Sequence, residues 1–160
     1  MSFLSRLRRL ADPSGPPAGD DRAGGDHKAA LGRAGEDAAA TLLHARGMRI
    51  LARNWRSGPL ELDPVSREGD TLVFVEVKTR GPGSLGSALD AVGPRKRQTL
   101  IRAARAWLAA HDQWHLPCRF DLVCIEPGPT GPHMEHIRHA FDLSGSGPSV
   151  DSGHASWQPW

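Results

Sequence analysis

Apolar residues in the stretch 28–46 fall at Leu31, Gly35, Ala38, Ala39, Leu42 and Leu43. That is the three-and-four spacing of one helix face, and Gly47 stands where a helix-ending cap belongs. The period then changes. MRILARNWR reads as a first strand, LELDPV as a second, and the turn REGD leads into a third, TLVFVEVKTR. The tight turn makes the second and third strands a hairpin. A Gly-rich stretch at 81–87 reads as a loop. A second helix starts near Pro94, a residue favoured in the first helical turn, with Leu100, Ile101, Ala104, Trp107 and Leu108 as its apolar stripe. RFDLVCIE is a fourth strand and HIRHAFDL a fifth, at an edge. The order α-β-β-β-α-β-β predicts an α/β fold with helices packed on a mixed sheet.

The third strand carries the main anomaly. Side chains alternate faces along a strand, so Thr71, Val73, Val75, Val77 and Thr79 share one face. Leu72, Phe74, Glu76, Lys78 and Arg80 share the other. Both faces begin apolar, as in an interior strand, and one then turns to charge. Burying a charge costs several kcal/mol unless it is paired. A Glu76–Lys78 ion pair at a strand end answers this with no chemistry, and on this strand alone it stands level with a catalytic reading. The second strand shifts the balance. Glu61 and Asp63 share a face by the same rule, and the hairpin brings Asp63 toward Glu76. Carboxylates gathered at one spot raise one another's pKa, a conflict that a hard divalent cation such as Mg²⁺ or Mn²⁺ removes. Glu36 lies in line with Ala39, Ala40 and Leu43 and points to the sheet or its rim, whereas Asp37 faces solvent. An ordinary glutamate favouring the helix dipole is the plain alternative for Glu36.

In the second helix Lys96 extends the sheet-facing stripe one turn before Leu100, while Arg95, Arg97, Arg102 and Arg105 spread over the other faces. A basic helix beside a carboxylate–metal site suits phosphodiester binding, since most protein contacts to nucleic acid go to phosphate. A solvated basic face is the bland alternative. Lys96, Arg95 and Arg97, with Arg80 on the charged face of the third strand, are the expected nucleic-acid-binding residues.

Composition narrows the class. The net charge of the 160 residues is only +2, which does not by itself imply nucleic-acid binding. Within 28–143 there are 16 Lys/Arg against 13 Asp/Glu, a net of +3. The mean hydropathy of −0.42 and the lack of any long apolar run argue against a membrane protein. Cys118 and Cys124 are too few for a disulfide framework and read as reduced thiols of a cytoplasmic protein. Residues 1–27 and 144–160, rich in Gly, Pro, Ser and Asp, read as a disordered leader and tail, leaving 28–143 as the folded domain. His133, His136 and His139, and the pair His111 and His115, lack the surroundings of a structural zinc site.

The blocks RAGEDAAATLLHARGMRILARNW, ELD, GDTLVFVEVKTR, RKRQTLIRAARAWL, RFDLV and IRHAF, in that order, resemble the YraN family. That is a bacterial family placed in the PD-(D/E)xK nuclease superfamily, near archaeal Holliday junction resolvases. The resemblance implies a restriction-endonuclease-like core, αβββαβ with an extra edge strand. It implies Asp63, Glu76 and Glu36 as metal ligands, Lys78 as catalytic lysine, Lys96 as a recurrent helix lysine, and Mg²⁺ or Mn²⁺ as cofactor. The implied activity is hydrolysis of phosphodiester bonds in DNA, branched DNA included. A homodimer is implied too, since junction-cutting relatives act as symmetric pairs, although no residue pattern marks an interface. Two departures stand out. Leu60 replaces the usual Gly before the E-x-D strand motif, and Pro64 follows Asp63 where an aliphatic residue is usual. Proline removes a ladder donor and bends a strand, which bears on where Asp63 points. Three readings stay open: a nuclease, a nucleic-acid-binding module of nuclease fold that cuts weakly or not at all, and an interaction protein with a structural ion pair.

Overall fold

Thr71–Thr79, the strand whose two faces both begin apolar, lies in the middle of a five-stranded sheet. The structure, a computed structural model, describes residues 21–81 and 92–142. In chain order the elements are α1 (Asp21–Ala45), β1 (Arg49–Ala52), β2 (Trp55–Ser57), β3 (Leu60–Leu62), β4 (Val65–Glu68) and β5 (Thr71–Thr79). They continue with α2 (Pro94–Ala110), β6 (Cys118–Glu126) and β7 (His133–Phe141). The large sheet has the order β1-β4-β5-β6-β7, and β2 and β3 form a separate hairpin. Among the described strands only β5 and β6 run parallel. A parallel pair needs a long crossover, and α2 lies within it. This is the expected mixed α/β sheet flanked by helices, a restriction-endonuclease-like core.

Period-two alternation in β5 assigns each helix its side. Val73 and Val75 pack with Ala38, Ala39 and Leu43 of α1 and with Val123 and Ile125 of β6. Leu72 and Phe74 pack on the opposite face with Leu100, Ile101, Ala104, Trp107 and Leu108 of α2. The α2 stripe read from the sequence is thus the buried one, with Ala103 added. The end of α1 is also as expected. Gly47 adopts φ 80, its N–H donates to His44 O at 3.0 Å, and Met48 N–H donates to Leu43 O at 3.0 Å. This paired closure satisfies two orphan carbonyls of the last turn.

Several boundaries differ from the sequence reading. Helix α1 begins at Asp21, seven residues before the expected start at 28. The single expected strand 48–56 is broken at Asn54, whose φ of 54 turns the chain away from the sheet and starts β2. The expected strand LELDPV is likewise two pieces, since β3 ends at Leu62 and β4 starts at Val65. Pro64 has no N–H for a ladder, and the Asp63–Pro64 peptide bond is cis. Glu61 and Asp63 therefore do not share one face of a continuous strand. β3 pairs with β2 across Gly58–Pro59 (Ser57↔Leu60), and exposed Glu61 accepts from Arg56 at 3.0 Å. β7 starts at His133, three residues early, and forms the expected edge. The leader up to residue 20, most of the Gly-rich loop and the tail after 143 lie outside the described residues. No helix among the described residues is long and apolar enough to cross a membrane.

Candidate functional site

β5 outruns β4, and the site forms in that space. Val65 pairs with Phe74, and Val75 N–H donates to Pro64 O at 3.1 Å. The β4–β5 pairing begins at Val65, so Asp63, on the far side of Pro64, lies outside that register, just upstream of the strand.

α1 approaches the same end of β5. A Cβ on Gly35 would lie 2.5 Å from Thr79 Oγ1, so the helix and strand touch where only glycine fits unshifted. The next residue, Glu36, is delivered to the sheet margin, and its carboxyl lies within hydrogen-bond reach of Asp63. The Asp63 side chain is only 7% exposed, and neither of its oxygens meets a donor. These facts agree: two carboxylates have no donor between them until one holds a proton. Burial, then the hydrogen bond and charge of Asp63, push Glu36 from 4.5 to about 7, with Glu61 adding to the rise and Arg53 opposing it. Arg53 Nε stands 4.0 Å from Asp63 Oδ1, while its Nη2 is bound at 2.7 Å by Asp37 Oδ1.

Glu76 is held differently. Its Oε1 lies 3.2 Å from Lys78 Nζ and its Oε2 lies 3.2 Å from Lys96 Nζ. The structure therefore brings Glu36 to Asp63, and Glu76 to Lys78 and Lys96. Among the described residues no three acidic, histidine or cysteine side chains close into one metal cage. Two carboxylates are nevertheless a workable set for a hard cation, because Mg²⁺ keeps several waters and takes one or two protein carboxylates. The donorless oxygens of Asp63 and the proton-sharing Glu36 fit such an ion, which would replace the proton.

The expected phosphate-binding residues divide. Arg95 is exposed and Lys96 is half exposed on the first turn of α2, which contains no acid. Arg97 turns inward instead. Its Nε donates to Val92 O at 2.8 Å, and its guanidinium lies 5.7 Å from the Phe141 ring centroid. Arg80 is only 12% exposed and lies 3.5 Å from Glu126. Arg102 and Arg105, on the outer face of α2, are exposed.

Two groupings escaped the sequence reading. One is Arg53, bridging Asp37 and Asp63. The other is a buried network at the opposite end of the sheet. Arg119 Nε donates to Asp121 Oδ1 at 3.0 Å, and its Nη1 donates to Glu68 Oε2 at 2.7 Å. His136 Nε2 lies 2.9 Å from Asp121 Oδ2, and Arg138 Nη2 donates to Glu68 at 2.6 Å. Burial alone would raise Asp121, but hydrogen bonds from His136, Arg119 and the His139 N–H outweigh it and hold the carboxyl low. The signal was present: Arg119 and Asp121 sit two apart on one face of an apolar strand, as Glu76 and Lys78 do. The three histidines of β7 are not a metal site, since His136 is buried on Asp121 while His133 and His139 are exposed.

Residues 35–125 match the model of a family described as uncharacterised protein family UPF0102. A UPF0102 protein of Nitratidesulfovibrio vulgaris (strain DP4) is 54% identical over 135 residues, covering 84% of this chain and 98% of that protein. One from Oleidesulfovibrio alaskensis is 39% identical, covering 82% of this chain and 93% of that protein. One from Frankia casuarinae is 50% identical over 115 residues, covering 71% of this chain and 98% of that protein.

Proposed function

From the premise that this chain belongs to the uncharacterised family UPF0102, the YraN family that the sequence resembles, we propose that it is a metal-dependent endonuclease. Its substrate is DNA, branched forms included, and it cuts by phosphodiester hydrolysis. The observation that carries this reading is the buried Asp63 carboxylate, without a hydrogen-bond donor and set against Glu36. A fold maintained for packing alone would supply a donor there, because a buried polar group left unpaired costs about 1–3 kcal/mol.

In this reading Asp63 and Glu36 hold Mg²⁺ or Mn²⁺, with Glu76 as the third acid. The bound ion supplies water activation and neutralises charge on the scissile phosphate. Lys78, fixed by its carboxylate contact at 3.2 Å, offers a compact positive charge to the developing oxyanion. Arg95, Lys96, Arg102 and Arg105 receive flanking phosphates.

The test is cleavage of linear, flapped and four-way DNA with Mg²⁺ and Mn²⁺. Lys78→Ala should cut at least about tenfold more slowly, or about 1.4 kcal/mol of barrier. Equal inertness of wild type and Lys78→Ala with every metal and substrate would refute the enzymatic reading. A nucleic-acid-binding module is the second reading, favoured by the pairing of both Glu76 oxygens with lysines. Binding to the same DNA panel without cutting would decide for it.

A further inference from the structure

The oxygens of Glu76 and Asp63 are treated in opposite ways. Asp63 has no donor on either oxygen. Glu76 has an ammonium on each, Lys78 at 3.2 Å and Lys96 at 3.2 Å. A carboxylate occupied on both sides brings neither oxygen to a divalent cation until one amine leaves. Lys78 is carried by the same strand two residues on, within the parallel ladder with β6, where it pairs with Cys124. Lys96 belongs to another element and is the more exposed of the two, at 44% against 36%.

The position of Lys96 also favours an anion. It occupies the first turn of α2 between Arg95 and Arg97, with no acid in that turn. The N-terminal end of a helix carries a partial positive charge, so three bases there are unfavourable without a negative partner. Glu76 is that partner here, and a phosphate oxygen meets the same need.

We propose that Lys96 is an exchangeable counter-ion: it holds Glu76 while no divalent cation is bound, and passes to a phosphate of the nucleic acid when the cation takes Glu76. This rests on the metal-dependent reading above and adds an order to it. Cation and Lys96 compete for one carboxylate, whereas cation and DNA phosphate bind cooperatively, because each releases the partner that the other needs.

The experiment uses the full chain and measures two affinities: Mn²⁺ alone by calorimetry, and a fluorescent four-way DNA by anisotropy in Ca²⁺. Lys96→Met should tighten Mn²⁺ by about twofold to fivefold, the range of a partly exposed ion pair, and should weaken DNA binding. Lys96→Arg, which keeps the charge, should stay near wild type in Mn²⁺ affinity. Equal or weaker Mn²⁺ binding in Lys96→Met overturns the exchange while leaving the metal site standing. Tighter Mn²⁺ binding with unchanged DNA affinity overturns the transfer to phosphate. Absence of Mn²⁺ binding in wild type and Lys96→Met alike overturns the metal reading, and the exchange with it.

Discussion

Replacing Glu36 by glutamine tests whether the two carboxyls at the sheet margin share a proton. In the folded protein Glu36 titrates at about 7 instead of 4.5, through burial first and then its hydrogen bond with Asp63 and that residue's charge. An acid whose folded pKa is raised gives up stability as pH rises. The contribution of the shared proton is whole below about 4.5 and gone above about 7. At 1.36 kcal/mol per pH unit the interval corresponds to about 3.4 kcal/mol, and water at half-exposed Glu36 screens this to about 1–2 kcal/mol. Glutamine carries no charge at any pH, and its amide donates to Asp63 as the protonated carboxyl does. Glu36→Gln should therefore be near neutral around pH 4.5 and stabilising by about 1–2 kcal/mol near pH 8, in EDTA. With a urea dependence of about 1–3 kcal/mol per molar, the midpoint should rise by roughly 0.5–1 M at the higher pH only. Other titrating groups cancel in the difference between wild type and variant. A variant that is destabilised near pH 8, or shifted equally at both pH values, would refute the shared proton.

Three further outcomes follow from the packing. Gly35→Ala should cost about 1–3 kcal/mol through the clash at 2.5 Å with Thr79 Oγ1; adding Thr79→Ala should recover part of that loss in a urea double-mutant cycle. Asp121→Asn should destabilise by about 3 kcal/mol in urea at pH 7, because it leaves buried Arg119 with Glu68 alone. Since the folded Asp121 carboxyl is held low, the ionic contribution that wild type loses on acidification should fade only at or below the usual carboxylate range. Burial pushes the Cys118 thiol up to about 11, so it should stay protonated and unreactive toward a maleimide at pH 8 until urea unfolds the chain.

The parts of the fold legible in the sequence are those governed by a single local period. The alternating faces of β5, the α2 stripe from Leu100 to Leu108 and the Gly47 cap each follow from spacing alone, and each is found. What periodicity missed are breaks within runs that read as continuous. Asn54 adopts a left-handed backbone that its short polar side chain tolerates, but nothing in MRILARNWR forces that bend. Gly58–Pro59 reads as punctuation, yet its role as the turn of a separate β2–β3 hairpin depends on Trp55 and Leu60 packing against the α2-side core. That is a tertiary decision.

The Glu76–Lys78 contact was legible by the same strand rule, and that rule also shows its limit. Charges two apart on one face of an apolar strand selected Glu76 and Lys78, and the sequence offers an equally good match in Arg119 and Asp121. The two groups differ in satisfaction. Asp121 accepts from Arg119, His136 and a backbone N–H, so its burial is fully answered and needs no ligand. Asp63 is nearly as buried, yet neither of its oxygens meets a hydrogen-bond donor, and Arg53 Nε stands 4.0 Å away. Pattern finds buried charge; only the count of donors around each oxygen separates an ion pair that holds strands together from a carboxylate left without a donor. Proline 64 belongs in that account. By ending the ladder it keeps Asp63 out of a continuous strand, and the departure that put Asp63 in doubt in the sequence is what leaves its oxygens open beside Glu36.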